Sequence, residues 1–177
     1  VIGLSPDQVS KLADGIKDAY AANLNSPVQT VVSGTAEALT ELEAKAKEAG
    51  ARRALRLAVA GPFHSPLMQE AADNFEKAIA NVEFKDPSIT LFSNVTGAQA
   101  TSGADVKKNA VLHLTHPVRW TDEEKVLNDL MVADKDNEWC LIEPGVGKVL
   151  SGLWAKSGFG EERTCADVNS AETLANY

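Results

Sequence analysis

The sequence contains little cysteine and no long apolar run. Its two cysteines, Cys140 and Cys165, match the spacing of no zinc or redox motif, and a single pair would not be a disulfide framework. Idle thiols are typical of a reducing compartment, so we expect a cytoplasmic protein. No apolar stretch approaches the roughly 20 residues of a membrane span, so no membrane partner is expected.

Positive charge is also scarce. The chain has 17 Lys and Arg against 25 Asp and Glu, which gives a formal net charge of -8 at pH 7. This excess of negative charge repels nucleic acids and anionic lipids, so neither is expected as a general partner. Hydrophobic residues make up 44% of the chain, which is enough for a packed core.

The first residues show neither an initiator methionine nor a signal-peptide pattern. They resemble the end of a strand, so we expect the chain to begin inside a larger protein. Ser5-Pro6 and Thr35 then predict two helix starts, and Gly50 a helix end. The predicted strands are residues 1–4, 21–25, 28–32 and 54–60. The resulting βαββαβ order predicts a ferredoxin-like subdomain over residues 1–60, with its first strand shortened.

Residues 61–177 show a different pattern, in which helices alternate with short apolar strands. Ser65-Pro66 predicts a helix with an inner face of Met68, Ala72, Phe75, Ile79 and Val82. Further helices are predicted at residues 105–114, 122–131 and 148–156, and strands at residues 89–93 and 139–142. This alternation is typical of an α/β layer with a parallel sheet, but two strands are too few to form one. This second part therefore also reads as incomplete.

The segment with the most chemical information is A-G-P-F-H-S-P-L-M at residues 60–68. A predicted strand ends there, Gly61-Pro62 forces a turn, and His64 precedes a helix. Open α/β sheets bind ligands at the carboxyl ends of their strands, where a side chain is both accessible and rigidly held. A lone histidine is often only a surface or capping residue, so the neighbouring motifs decide between these interpretations.

Four other segments carry motifs in a fixed order. They are N-L-N-S-P-V-Q-T-V-V-S-G at residues 23–34, S-N-V-T-G at 93–97, P-V-R-W at 117–120 and E-P-G-V-G-K-V-L at 143–150. Together with G-P-F-H-S they resemble the motifs of malonyl-CoA:acyl carrier protein transacylases. The resemblance extends from residue 1 to about residue 156.

This resemblance implies the fold and the activity. Such enzymes are α/β proteins in which a ferredoxin-like small subdomain is inserted into a large α/β-hydrolase-like subdomain, here residues 61–177. A serine in a G-x-S-x-G elbow takes malonyl from coenzyme A and passes it to the phosphopantetheine thiol of acyl carrier protein. Malonyl-CoA and acyl carrier protein are thus the expected substrate and partner. No cofactor or metal is expected, because coenzyme A acts as part of the substrate.

The resemblance also implies roles for three residues. His64 would be the general base that activates the serine. Asn25 would line the acyl cleft, although asparagine is also common before a turn. His113 occupies the position of a glutamine whose backbone carbonyl orients the histidine, or else it is a helix-surface histidine with no role.

No G-x-S-x-G sequence occurs in the 177 residues. In the family, the serine, the malonyl-binding arginine and the oxyanion hole all lie upstream of the matched region. We therefore expect this chain alone to be inactive, and the upstream segment of the same enzyme to be a necessary partner.

Two other functions remain possible. The chain could be a non-catalytic module that binds carrier proteins, although such a module has no need of His64. It could also belong to a polyketide synthase acyltransferase domain, in which Phe63 favours malonyl over methylmalonyl. Acyl carrier protein is acidic, so a basic docking patch is expected. The candidates are Lys45, Lys47, Arg52, Arg53 and Arg56, which could equally be a solvated helix face.

Overall fold

The computed structural model describes residues 1–174, so the last three residues of the predicted second subdomain lie outside the described residues. It has an α/β fold and divides into two compact units, residues 1–123 and residues 124 onwards. The subdomain boundary that the sequence suggests near residue 60 stays a prediction. None of the described helices is long and apolar enough to cross a membrane.

The first unit opens with two helices and a hairpin. These are α1 (Pro6–Asp14), β1 (Ala19–Ser26), β2 (Gln29–Gly34) and α2 (Ala36–Glu48), with β1 and β2 antiparallel. The predicted caps are confirmed, because the Ser5 and Thr35 hydroxyls accept hydrogen bonds from the backbone nitrogens of Gln8 and Ala38. Gly50 follows α2 with a φ of 90°, as a helix end requires.

Small and branched apolar side chains join these helices to the hairpin. Ile16, Ala19 and Leu42 lie in one buried cluster, and Val9 and Ala46 in a second. The helices therefore have a packed core against β1 and β2 without help from large aromatic residues.

The strand predicted at residues 54–60 does not form. Within the described residues, the antiparallel bridge between Ile2 and Arg53 stops just before this segment, and no bridge or ladder follows over residues 54–60. The alternating residues Leu55, Leu57 and Val59 are 62%, 59% and 65% exposed. The pattern is that of a strand, but a strand also needs a partner for its backbone groups, and this one lacks it over most of its length.

The rest of the first unit is mainly helical. It contains a 3₁₀ turn (Pro66–Met68), α3 (Gln69–Ala78), α4 (Gly103–Leu112) and the start of α5 (Trp120–Ala133). Two three-residue strands, β3 (Leu91–Ser93) and β4 (Ala98–Ala100), pair antiparallel.

The predicted inner face of α3 is partly wrong. Ala72 is buried, but Phe75 and Val82 are exposed, and the helix ends before Ile79. Their helical spacing is real, but no described element covers that face, and spacing alone does not bury a side chain.

The second unit contains β5 (Leu141–Pro144), α6 (Val149–Trp154), β6 (Cys165–Val168) and α7 (Ala171–Leu174). β5 and β6 pair in parallel, and both cysteines are free. The parallel pairing agrees with the expected α/β layer. The apolar run at residues 139–142 predicts a buried strand, and this is wrong, because β5 begins only at Leu141 and Trp139 and Ile142 are 45% and 41% exposed.

Candidate functional site

His64 lies in a tightly held turn between residue 61 and the 3₁₀ helix. Its φ of 58° places it in the left-handed region, where a non-glycine residue is strained. Three hydrogen bonds hold this turn. The His64 nitrogen donates to the Leu114 oxygen at 3.1 Å, the Ser65 hydroxyl to the Pro62 oxygen at 2.5 Å, and the Ser33 hydroxyl to the Phe63 oxygen at 2.6 Å.

The His64 ring is oriented by a backbone carbonyl. Its Nδ1 lies 2.8 Å from the oxygen of His113. A carbonyl oxygen only accepts hydrogen bonds, so it fixes the neutral ring with the proton on Nδ1 and leaves the lone pair on Nε2. A general base requires such an arrangement, and here a backbone dipole supplies it in place of a carboxylate.

His113 reaches this position because it ends α4. It caps the helix, and its nitrogen donates to the Asn109 oxygen at 2.9 Å. Five residues further along the chain, Val118 is hydrogen-bonded to β1 through both of its backbone groups. Its carbonyl oxygen accepts from the Leu24 nitrogen at 2.9 Å, and its nitrogen donates to the Ala22 oxygen at 2.8 Å. The connection from α4 to α5 is thus anchored to β1, which fixes the His113 carbonyl.

Asn25 lies on β1 at an irregularity, between the bulged positions Leu24 and Ser26. A bulge turns side chains away from the regular alternation and is common beside functional sites. Asn25 and His64 line the same cavity of about 680 Å³ in the first unit. The fold thus brings these two candidate residues to the same cavity, although they are 39 positions apart in the chain.

The cavity walls are mixed in chemistry. Ser33 and Asn23 are polar, whereas Leu55, Leu57 and Phe63 present apolar surface. A mixed cleft suits a ligand with an apolar chain and a few polar groups, because the apolar walls pack against methylenes and the polar groups fix the orientation. Among residues 1–174 no cluster of His, Cys, Asp or Glu could hold a metal ion.

A second polar cluster, which the sequence did not reveal, lies at the start of α5. Burial, with the nearby Asp122 charge, raises the pKa of Glu123 to about 7. With its amide nitrogen turned towards this carboxyl group, Asn94 donates at 2.9 Å, which counteracts part of that rise. The backbone carbonyl oxygen of Asn94 accepts a hydrogen bond from the backbone nitrogen of Arg119 at 2.9 Å. Two of the motifs, S-N-V-T-G and P-V-R-W, therefore meet here for a structural reason.

The basic residues of the first unit are not one uniform patch. Lys45 pairs with Glu41 at 2.8 Å, and Arg56 pairs with Glu43. Arg52 and Arg53 are exposed and form no ion pair with a described residue. Two of the five positive charges are thus compensated, which leaves Arg52, Arg53 and the exposed Lys47 for an acidic partner.

A family model for the acyl transferase domain matches residues 3–132 of this sequence. The chain belongs to the acyl transferase domain family. Its curated relatives include malonyl CoA-acyl carrier protein transacylases. The protein from Bacillus subtilis is 36% identical over 160 residues, and that from Haemophilus influenzae 37% identical over 157. These alignments cover 88% and 86% of this chain but 49% and 48% of the relatives, so the chain spans about half their length.

Solved structures of malonyltransferases are also similar to this acyl transferase family member. An acyl carrier protein S-malonyltransferase from Vibrio cholerae is 35% identical, with a TM-score of 0.86 over 99% of this chain and 56% of that one. A malonyl-transacylase solved in complex with a type II polyketide synthase acyl-carrier protein is 31% identical, with a TM-score of 0.89 over 99% of this chain and 55% of that one. The resemblance seen in the motifs is confirmed, and so is the α/β fold.

Proposed function

We propose that this acyl transferase chain supplies the histidine half of a malonyl transfer site. In the complete enzyme, a serine would take malonyl from malonyl-CoA and pass it to the phosphopantetheine thiol of acyl carrier protein, as in fatty-acid biosynthesis. Coenzyme A is then a substrate carrier, and no further cofactor is needed. The single observation that carries this proposal is the 2.8 Å contact between His64 Nδ1 and the His113 oxygen.

The proton transfers follow from this geometry. His64 accepts the serine proton at Nε2 as the serine oxygen attacks the thioester carbonyl, and returns it to the thiolate of coenzyme A as that group leaves. The carrier thiol then gives its proton to Nε2 and attacks the acyl-serine, and the serine oxygen recovers the proton. In both halves the His113 carbonyl stabilises the imidazolium through the Nδ1 hydrogen bond. Asn25, on the cavity wall, would contact the acyl group.

The serine must come from a segment outside these 177 residues, because no G-x-S-x-G sequence occurs in them. The pairing of Ile2 with Arg53 supports a place for part of that segment. The two residues exchange backbone hydrogen bonds of 2.8 and 3.1 Å in an antiparallel arrangement. A chain running back from Val1 would continue along residues 54–60, give them a strand partner and complete the ferredoxin-like sheet.

The test is a fusion. The N-terminal half of the Bacillus subtilis relative is placed before Val1, and transfer of radiolabelled malonyl from malonyl-CoA to holo acyl carrier protein is measured. We expect transfer by the fusion and none by the 177-residue chain. The N-terminal half of the Bacillus subtilis relative, expressed without the 177-residue chain, is the matched control, and it should be inactive.

Two results would contradict the proposal. Serine-dependent transfer by the 177-residue chain would show that the upstream segment is unnecessary. A folded fusion that binds acyl carrier protein but transfers nothing would favour the non-catalytic binding module.

A second candidate carrier is favoured by one observation. The complex described above contains a type II polyketide synthase acyl-carrier protein, and its transacylase is as similar in fold to this chain as the Vibrio cholerae S-malonyltransferase. Offering fatty-acid and polyketide carrier proteins to the same fusion in competition distinguishes the two pathways, through the ratio of their kcat/KM values.

A further inference from the structure

The side chain of His113 is not needed for the contact that its carbonyl makes with His64. Any residue presents a carbonyl at this position, yet here an imidazole packs directly against the His64 ring. The two ring centroids are 4.8 Å apart and the planes are tilted by 40°. The backbone contact and the ring contact thus come from the same residue and act on the same imidazole.

The His113 ring is half-buried, and its inner nitrogen is shielded at a cost. Its Nε2 is shielded from solvent and has no hydrogen-bond partner among the described residues. An unsatisfied buried nitrogen destabilises a fold, so its presence calls for a compensating role. Burial, and after it the His64 charge, lowers the pKa of His113 below its usual range.

We propose that the imidazole of His113 is a positioning residue for His64. The neutral His113 ring closes one face of the His64 ring and confines it to the orientation in which Nδ1 meets the His113 carbonyl. The His113 ring stays neutral, because a charged ring would have a buried N–H without an acceptor. This inference rests on the proposed function, because His64 needs positioning only if it acts as a base. Its test does not depend on acyl transfer.

The other ionisable groups near this turn are directed elsewhere. His116 directs its Nδ1 to the Leu112 oxygen at 3.0 Å and the Thr115 hydroxyl at 2.9 Å. On α4, the Lys107 amine donates to the Ala80 oxygen at 2.7 Å and the Val82 oxygen at 3.1 Å. His64 is the charged group that acts on His113.

The test uses the ¹⁵N-labelled 177-residue chain and long-range ¹H–¹⁵N correlation spectra, which report the tautomer and titration of each imidazole. The sequence has three histidines, so single substitutions assign them. In the unmodified chain we expect His64 as the Nδ1–H tautomer alone. His113→Ala keeps the carbonyl and removes the ring, and should give a mixture of tautomers at His64. His113→Phe restores a flat ring and should restore the single tautomer.

His116→Gln is the matched control and should leave the His64 signals unchanged. A single Nδ1–H tautomer at His64 in a folded His113→Ala chain would overturn the proposal, because the carbonyl alone would then suffice. If His113→Ala does not fold, His113→Leu takes its place, because it keeps the carbonyl and an apolar side chain but has no flat ring. It should also give a mixture of tautomers at His64, and a single Nδ1–H tautomer would equally overturn the proposal.

No acyl transfer is measured in these spectra. A single tautomer in the His113→Ala chain would remove the role of the ring and leave the malonyl-transfer proposal intact, and failure of the fusion experiment would leave the ring pair intact.

Discussion

The Ser33 hydroxyl donates a 2.6 Å hydrogen bond to the carbonyl of Phe63, the residue directly before His64. Ser33 lies on β2, so this contact joins the histidine turn to the hairpin that carries Asn25. The strained φ of His64 persists only because contacts of this kind overdetermine the turn.

Ser33→Ala should loosen that turn. We expect a loss of about 1 kcal/mol in the free energy of unfolding, typical of one hydrogen bond. In the active fusion it should also lower kcat more than it raises KM, because the general base is misplaced while the cavity remains. Ser33→Thr retains a hydroxyl and should recover most of both losses. Equal kcat for the serine and alanine enzymes would remove Ser33 from the positioning of His64.

His64→Gln should lower kcat/KM for transfer in the fusion by roughly 10²- to 10⁴-fold, because a glutamine cannot accept the serine proton. The measurement is the rate of malonyl transfer, with circular dichroism as a check on folding. His116→Gln is the matched substitution, since His116 is exposed and bonded elsewhere. Comparable losses from both substitutions would point to a folding defect rather than a lost base.

Reversing both charges in Arg52→Glu/Arg53→Glu should weaken the binding of acyl carrier protein, on the order of tenfold at low salt and less at high salt. Fluorescence anisotropy with a labelled carrier protein measures this. The control is Lys17→Glu/Lys77→Glu, which makes the same change in net charge at two other exposed positions of the first unit. If both pairs weaken binding equally, net charge and not the arginine pair is responsible.

Glu123 should make the stability of the first unit depend on pH. Folded Glu123 keeps its proton up to about pH 7, whereas the unperturbed carboxyl loses it near pH 4.5. Between these values the folded chain binds more protons, so the free energy of unfolding should fall as the pH rises, by about 1 kcal/mol after allowance for the Asn94 contact.

Urea unfolding at pH 5 and pH 8 measures that difference. Glu123→Gln should reduce it, and Glu48→Gln, at an exposed position on α2, should not. An identical difference in the Glu123→Gln chain would assign the pH dependence to other groups.

Local signals account for what the sequence predicted well. Ser5 and Thr35 cap their helices through atoms three residues away, and the hairpin turn at Pro27 and Val28 lies between the two strands. Such features are encoded by neighbouring residues, so a single sequence reveals them. His64 and Asn25 were found through motifs, and the structure places both on one cavity.

Non-local features were missed for a physical reason. β4 and β6 have three and four residues, too few to show a period of two. The contact from Ser33 to Phe63 joins residues 30 positions apart, and that from Asn94 to Glu123 is similarly distant. The exposed Trp139 and Phe75 show that hydrophobic patterning predicts a face but not whether another element covers it.

The uncovered row of Leu55, Leu57 and Val59 affects how the chain behaves in a test tube. Unpaired backbone groups beside exposed aliphatic side chains form a ready template for another chain to add a strand. Concentrated solutions of the 177-residue chain should therefore self-associate, and light scattering should rise with concentration. The same exposed row that could pair with an added strand would therefore limit the concentration at which the chain stays monomeric.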